Sequence, residues 1–367
     1  MSGRAPLPGL RARGARRDTS LPEVKLWICP ETWLSRVSYY MSGFIELQAR
    51  HEVRLRLVGG VLKWALRARS MPDPSGLFGF HLLGELAVRG APPRRFAIDT
   101  TDSRTQLHRG VLEAAHRVYK VNYSPAAAEG ALPASLAGKL TAIDAFFPVA
   151  LPAHADLVLK WGVNPVSARL LRRRSIRALS RRPALADLRA FRGAPKRRDV
   201  FANLTAWPHN IEERCALISR LKQMDIDFHG GFQPNELALR CCPENTLQSP
   251  LSTPAYFAAL AEARVTLVVP GCHDCIPAKL PEQMAMGATI LVVPSENEQD
   301  TPLRDGVDVV YAGSDLDDVE DQVYRLLADE EQRRALGASA ARRFDTCLQP
   351  VAVARRLVAG MGEGKAT

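Results

Sequence analysis

The chain has 367 residues, 46% of them hydrophobic and 24% charged, with 49 Lys plus Arg against 39 Asp plus Glu and a formal charge of +10. That balance excludes a largely disordered chain, and no uninterrupted apolar run approaches the roughly 18–20 residues a bilayer demands. The length predicts two domains, each able to bury its own core.

Residues 1–20 (MSGRAPLPGLRARGARRDTS) are rich in Arg, Gly and Pro without the apolar stretch of a secretory signal. They read as a flexible basic tail, and the cytoplasm is the expected compartment. Residues 24–29 (VKLWIC) read as a buried strand, 37–50 as a helix, and 53–58 (VRLRLV) as a half-buried strand ending at Gly59 and Gly60. The turn cluster MPDPSG at 71–76 interrupts a stretch, 61–80, that fits no clear period. Beyond it come a strand at 94–99 (RRFAID), a helix at 106–117 and a short strand at 118–121.

The second half repeats the rhythm. A strand is predicted at 199–203, a helix at 210–223 with Asn210 at its cap, and a strand at 225–229. A helix at 253–263 places Pro254 in its first turn and leads into the apolar strand 264–269. A short helix at 281–286 stops at Gly287 and feeds the strand 288–293; a strand at 308–311 and helices at 316–328 and 330–343 follow. Apolar strands alternating with helices imply an α/β chain with two Rossmann-like parallel-sheet domains facing across a cleft. Ligands of such sheets bind beyond the carboxyl ends of the strands, which puts the loops after 29, 59, 99, 203, 230 and 270 at the site.

The charge is concentrated. Residues 169–198 hold twelve basic side chains and one acidic one, a local net of +11, so the other 337 residues sum to −1. Such a stripe is either a solvated face or a contact for nucleic acid or another anionic surface, and its one aromatic, Phe191, offers little base stacking. The seven cysteines, odd in number and scattered, are expected to be free thiols. The chain lacks the phosphate-loop, dinucleotide, zinc-protease and serine-hydrolase signatures.

The most informative stretch is 271–293, GCHDCIPAKLPEQMAMGATILVV. A buried strand opens into a polar loop containing Gly271 and Cys272, a short helix begins, and a buried strand returns at once. Lys279 at the helix start suits a diphosphate, and Glu282 three residues later suits a ribose or hexose hydroxyl. The plain alternative is a solvated lysine and an acidic residue favoured in a first helical turn. Cys272 and Cys275 form a C-x-x-C, but no second pair lies at zinc spacing, so these cysteines read as loop packing; no clear D-x-D set follows an apolar strand, so no obligatory divalent metal is implied.

This run and its preceding strand resemble the sugar-nucleotide half of two-domain GT-B glycosyltransferases, the exostosin-like and group 1 families. The segment 199–205 (DVFANLT) is similar to the first strand and phosphate-side loop of that half, with Asn203 and Thr205 in the loop position, and 252–270 is similar to its helix and strand approach. The resemblance covers about 199–345 and is only architectural before that. It implies an acceptor-side domain at 21–190 with a basic linker near 169–198, a nucleotide-sugar domain at 199–345, and a segment 346–367 returning toward the first domain. It also implies a nucleotide-sugar donor, with Glu282 on its ribose or sugar, Lys279 on its phosphates, and an unidentified acceptor.

Many retaining members carry a second glutamate seven residues before the first, where this chain has Cys275. An altered donor site and a non-catalytic sugar-nucleotide-binding protein are therefore both open, beside a nucleic-acid-binding or nucleic-acid-modifying protein that uses the basic stripe. An inverting transferase needs a general base, for which the first domain offers Asp99, His81 and Asp102. Asp102 could equally cap the helix that follows it.

Overall fold

The computed structural model describes residues 20–28, 32–59, 79–151, 182–313 and 316–362. Cys29, most of the uncertain 61–80 stretch, the basic residues from Arg169 to Arg181 and nearly all of the N-terminal tail lie outside the described residues. Two α/β sheets form, each covered by helices, in the GT-B arrangement.

The first sheet has the order β2-β1-β3-β4-β5-β6. Its strands are β1 (Glu23–Ile28), β2 (Arg54–Gly59), β3 (His81–Ala87), β4 (Arg94–Asp99), β5 (Arg117–Lys120) and β6 (Leu140–Ala142). Five of them run parallel; β3 is the exception, antiparallel to both β1 and β4. This sheet is thus mixed where an all-parallel one was expected. β3 needs no crossover helix to reach its neighbours, so it fell in a region without an α/β rhythm. Helix α1 (Leu34–Ala49) follows β1 and buries Tyr39, Tyr40, Phe44 and Ile45 against the sheet. Short helices α2 (Arg109–Ala114), α3 (Pro125–Ala131) and α4 (Ala134–Ala137) complete this half.

The second half opens with α5 (Leu185–Ala190) and contains a fully parallel sheet of order β11-β10-β9-β7-β8. Its strands are β7 (Arg198–Leu204), β8 (Phe228–Phe232), β9 (Ala263–Val268), β10 (Ile290–Val292) and β11 (Val310–Tyr311). The covering helices are α6 (Ile211–Gln223), α7 (Glu236–Cys241), α8 (Thr253–Glu262), α9 (Lys279–Ala285), α10 (Leu316–Ala328) and α11 (Glu330–Arg343). Ser252 caps α8 through the Ala255 amide, with Pro254 in the first turn. Asn210 occupies the N-cap position of α6 but makes no side-chain capping bond.

Cys215 on α6 and Cys242 after α7 form a disulfide, which corrects the expectation of free thiols throughout. The end of α7 folds back on α6 and brings their Cα atoms to 6.2 Å, a separation along the chain of 27 residues that no local pattern reveals.

The last helix, α12 (Pro350–Gly362), lies along α1 of the first half. Tyr39 donates its hydroxyl hydrogen to the Leu348 carbonyl, Arg355 pairs with Glu52 at 2.7 Å, and Arg94 reaches the Met361 carbonyl at 3.0 Å. The contact is closest at Gly43, where an added Cβ would stand 2.1 Å from the Pro350 carbonyl oxygen. Gly43→Ala should therefore lower stability by about 1–3 kcal/mol, the usual cost of overpacking, read as a lower urea midpoint at unchanged slope. An unchanged midpoint would show that the α1–α12 contact yields freely.

Candidate functional site

In the second sheet the chain travels one way from β7 to β8 and the other way from β9 to β11. The crevice between β7 and β9 is therefore a topological switch point, the place where open parallel sheets bind ligands. Two loops leave it, 205–210 after β7 and 269–278 after β9. Arg214 of α6, buried at 6% exposure, ties them together by donating to the Thr205 and Pro270 carbonyls. Burial lowers its pKa from the ordinary value, while Cys275 and Cys272 act in the opposite direction.

Lys279 opens α9 and turns its Nζ to the end of β7, where it donates to the Asn203 backbone carbonyl and lies 3.5 Å from the Asn203 side-chain oxygen. Asn203 is only 4% exposed, and its Nδ2 has no hydrogen-bond partner among the described residues. A buried amide donor without an acceptor is uncommon in folded proteins, and one beside an ammonium group suits an anionic oxygen. Burial pulls the Lys279 pKa down to about 8, against the neighbouring Glu282. Glu282, 8% exposed, is pushed up to about 7 by burial, opposed by Lys279 and Arg182; the Tyr256 hydroxyl faces its Oε2 at 3.4 Å.

The loop after β9 turns sharply. The Gly271 amide donates to the Cys275 carbonyl at 2.7 Å, and His273 and Asp274 adopt left-handed conformations with φ of 54° and 59°. His273 stacks on His209 of the opposite loop, ring centroids 5.8 Å apart. Cys275 is buried, whereas Cys272 looks across the cleft, its Sγ 3.6 Å from Asp102 Oδ2. A hydrogen bond between the two thiols lowers the Cys272 pKa and raises that of Cys275. Among the described residues, no three His, Cys, Asp or Glu side chains converge on a metal-sized space. Beyond β9 and β10 lies a cavity of about 150 Å³ lined by Pro270, Ile276, Leu280, Val292, Asn297 and Tyr311; the Asn297 Oδ1 is buried there without a partner among the described residues.

The first sheet presents its carboxyl edge to these loops. Asp99 and His81 face each other on paired strands and are each 2% exposed. Asp99 accepts from the Thr101 amide at 2.9 Å, the Thr101 hydroxyl at 2.6 Å and Lys120 Nζ at 3.0 Å, with His81 Nε2 3.6 Å away. Burial by itself would raise this carboxyl, but Lys120 and His81 hold it well below the usual carboxylate range. Asp99 and His81 are thus interior groups, and an acceptor-facing base at Asp99 does not fit this geometry. Asp102 faces the cleft instead. It does not cap α2; Arg36 grips it with two bonds of 2.6 and 2.7 Å and lies 5.1 Å over the Phe80 ring. Trp33, 54% exposed, packs on Phe80 at 4.8 Å.

The halves meet through specific bonds. Asn122 donates to the Thr101 carbonyl and accepts from the Ile276 amide, each at 2.9 Å, and Arg104 reaches Asp274 at 3.1 Å. The sequence reading missed Arg36, Lys120, Asn122 and Arg214. Lys120 and Asn122 carried a faint signal, polar residues at the end of an apolar strand. The described part of the basic stripe is largely paired: Arg189 and Arg192 hold Asp345, Arg198 holds Asp227, and Lys196 reaches the Ala261 carbonyl.

Residues 212–359 match the family model described as glycosyl transferase-like. A comparison with curated proteins finds no significant match. Among solved structures, HepE from Anabaena, in complex with UDP and glucose, is 11% identical with a TM-score of 0.47, over 93% of this chain and 100% of that one. Sucrose-phosphate synthase from Thermosynechococcus elongatus is 14% identical with a TM-score of 0.45, covering 89% and 72%. A UDP-N-acetylglucosamine 2-epimerase from Listeria monocytogenes, so described provisionally, is 12% identical with a TM-score of 0.40, covering 92% and 96%. At these scores the structural likenesses carry no argument about activity. The class is set by the fold and the matched segment: a two-domain α/β chain of GT-B type whose second half is glycosyl transferase-like. Among the described residues, no helix is long and apolar enough to cross a membrane.

Proposed function

We propose that the chain is a glycosyltransferase that moves a sugar from a nucleotide-sugar donor to an acceptor hydroxyl. The observation that carries this reading is the buried Asn203 Nδ2, without a partner among the described residues, beside Lys279 at the switch point, within a glycosyl transferase-like second half. In the proposed mechanism Lys279 and Asn203 Nδ2 hold the diphosphate, and Glu282 accepts a hydroxyl of the donor in place of its long bond from Tyr256. The bond from the sugar's anomeric carbon to the phosphate oxygen breaks, and negative charge grows on the diphosphate next to Lys279. The acceptor oxygen takes over that carbon and gives up its proton. Asp102, the carboxylate beside the donor loop, is the proposed recipient, and the shelf of Trp33 and Phe80 is the proposed acceptor wall.

Titration of the protein with nucleoside diphosphates and nucleotide sugars tests this directly. One base should bind best, with density beside Lys279 and Asn203 in a structure of the complex; failure of every nucleotide to bind would end the proposal. The ionisations add a pH signature. Glu282 is a charged, acceptor-only carboxylate only above about 7, and Lys279 carries its charge only below about 8. Donor affinity should peak between those values, and Lys279→Met should abolish the alkaline limb. A profile flat from pH 6 to 9 would contradict these roles.

One observation favours a second reading, donor binding without turnover. Cys275, at the position where a second glutamate was expected, is buried against the loop and offers a donor sugar no carboxylate. Product formation across acceptors separates the two.

A further inference from the structure

The amino edge of the second sheet, opposite the cleft, holds a larger cavity of about 650 Å³. Its walls carry Arg192, Lys196, Arg264, Arg333 and Arg334, against one lining carboxylate, Glu330. The floor is small: Gly193, Gly287, Gly337 and Ala338 leave the space open. Lys196 and Arg264 lie at the starts of β7 and β9, whereas the cleft lies at their ends; the six residues of β9 span about 20 Å at ~3.3 Å per residue.

Three of the five cations have carboxylate partners: Arg192 holds Asp345, Arg264 holds Asp199 and Arg334 holds Glu330. Lys196 and Arg333 form no ion pair among the described residues. Lys196 donates to the Ala261 carbonyl at the end of α8, and Arg333 to the Leu326 and Leu327 carbonyls at the end of α10. Those helix ends, equivalent to about half a negative charge each, offset the two cations only in part and fix both in place. Burial lowers the pKa of each; on Arg333, Arg264 acts in the same direction, against Glu330, Asp329 and Asp199. Two cations anchored by helix-end carbonyls, Lys196 exposed and Arg333 half-buried, beside an open volume of ligand size have the character of an anion site.

We propose that this cavity is a second ligand site, separate from the cleft, that binds a multiply charged phosphate anion between Lys196, Arg333 and Arg334. The proposal does not depend on the cleft being a donor site.

Calorimetric titration of the full chain with pyrophosphate, in the Lys279→Met background and at physiological salt, tests it. One site should remain in that background, and adding Lys196→Met with Arg334→Gln should weaken it by at least about tenfold, the loss expected of charge-assisted bonds. The same pair of substitutions in the otherwise unchanged chain should leave nucleotide binding at the cleft as it was. Ribose 5-phosphate run alongside distinguishes a phosphate monoester from a diphosphate, since both draw on the same cations. If the double substitution disturbs folding, Arg334→Glu on the exposed rim should give the same tenfold loss. The proposal fails if neither probe binds the Lys279→Met protein, or if the cavity substitutions leave affinity unchanged.

Discussion

Lys279→Met is expected to weaken nucleotide binding by about 10- to 100-fold, the loss that follows from removing one charge-assisted hydrogen bond to phosphate, with helix and sheet content unchanged. Two features make the effect large. The ammonium group is held at the end of β7 by the Asn203 carbonyl, so it loses little freedom on meeting a ligand, and its half-buried setting reduces screening by salt. Methionine keeps the length and apolar contacts of the stem, so the folded protein should tolerate the change. Asn203→Ala removes a donor that has no partner among the described residues, and should weaken binding while leaving stability nearly unchanged. If Lys279→Met bound nucleotides as tightly as the parent, the switch-point crevice would not be the diphosphate site.

Lys120→Met should be the most destabilising single change at the first sheet's edge, costing about 3–5 kcal/mol, because it leaves the buried Asp99 carboxylate without its main cation. For a domain of this size that is a fall of roughly 10 °C in Tm. A companion Asp99→Asn should restore part of it, since the unpaired charge and not the lost bond dominates the cost. The pH dependence has a definite sign. Asp99 is held well below its unfolded value, so its contribution is present above about pH 4 and lost as pH falls toward the folded value. Lys120→Met should remove much of that acid sensitivity. A loss under about 1 kcal/mol would mean that Asp99 is neutral or hydrated in the folded protein, and would reopen its candidacy as a base.

The second half was the more legible in sequence because its strands are buried on both faces and alternate with helices of ordinary length. The predicted helices at 316–328 and 330–343 coincide with α10 and α11, and the predicted 94–99 strand with β4. β3 escaped because HLLGELA is buried on both faces at most positions, so it shows no period of two, and Gly84 breaks the run where the Phe96 ring crosses it. At the site, Lys279 and Asn203 meet because they flank one switch point, while Thr205 is held there through its carbonyl by Arg214. Asp99 and His81 stood out as polar residues at a strand end, the same signal that marks a catalytic base; only the position of Lys120 on the adjacent strand shows that they face inward.

The amino-acid sequence alone determined the alternation of strands and helices, the apolar faces and the short loop-helix-strand unit around Lys279, since these depend on spacing between near neighbours. It also showed that the charge is concentrated in one stretch. Tertiary structure decided everything that depends on residues far apart in the chain: the Cys215–Cys242 bond, the grip of Arg36 on Asp102, the clamp of Arg214 on two loops, and the packing of α12 on α1. It also decided which polar groups are exposed, because burial depends on what folds over a residue rather than on what precedes or follows it. That is why the acidic residue facing the cleft is Asp102 and not Asp99, three positions earlier.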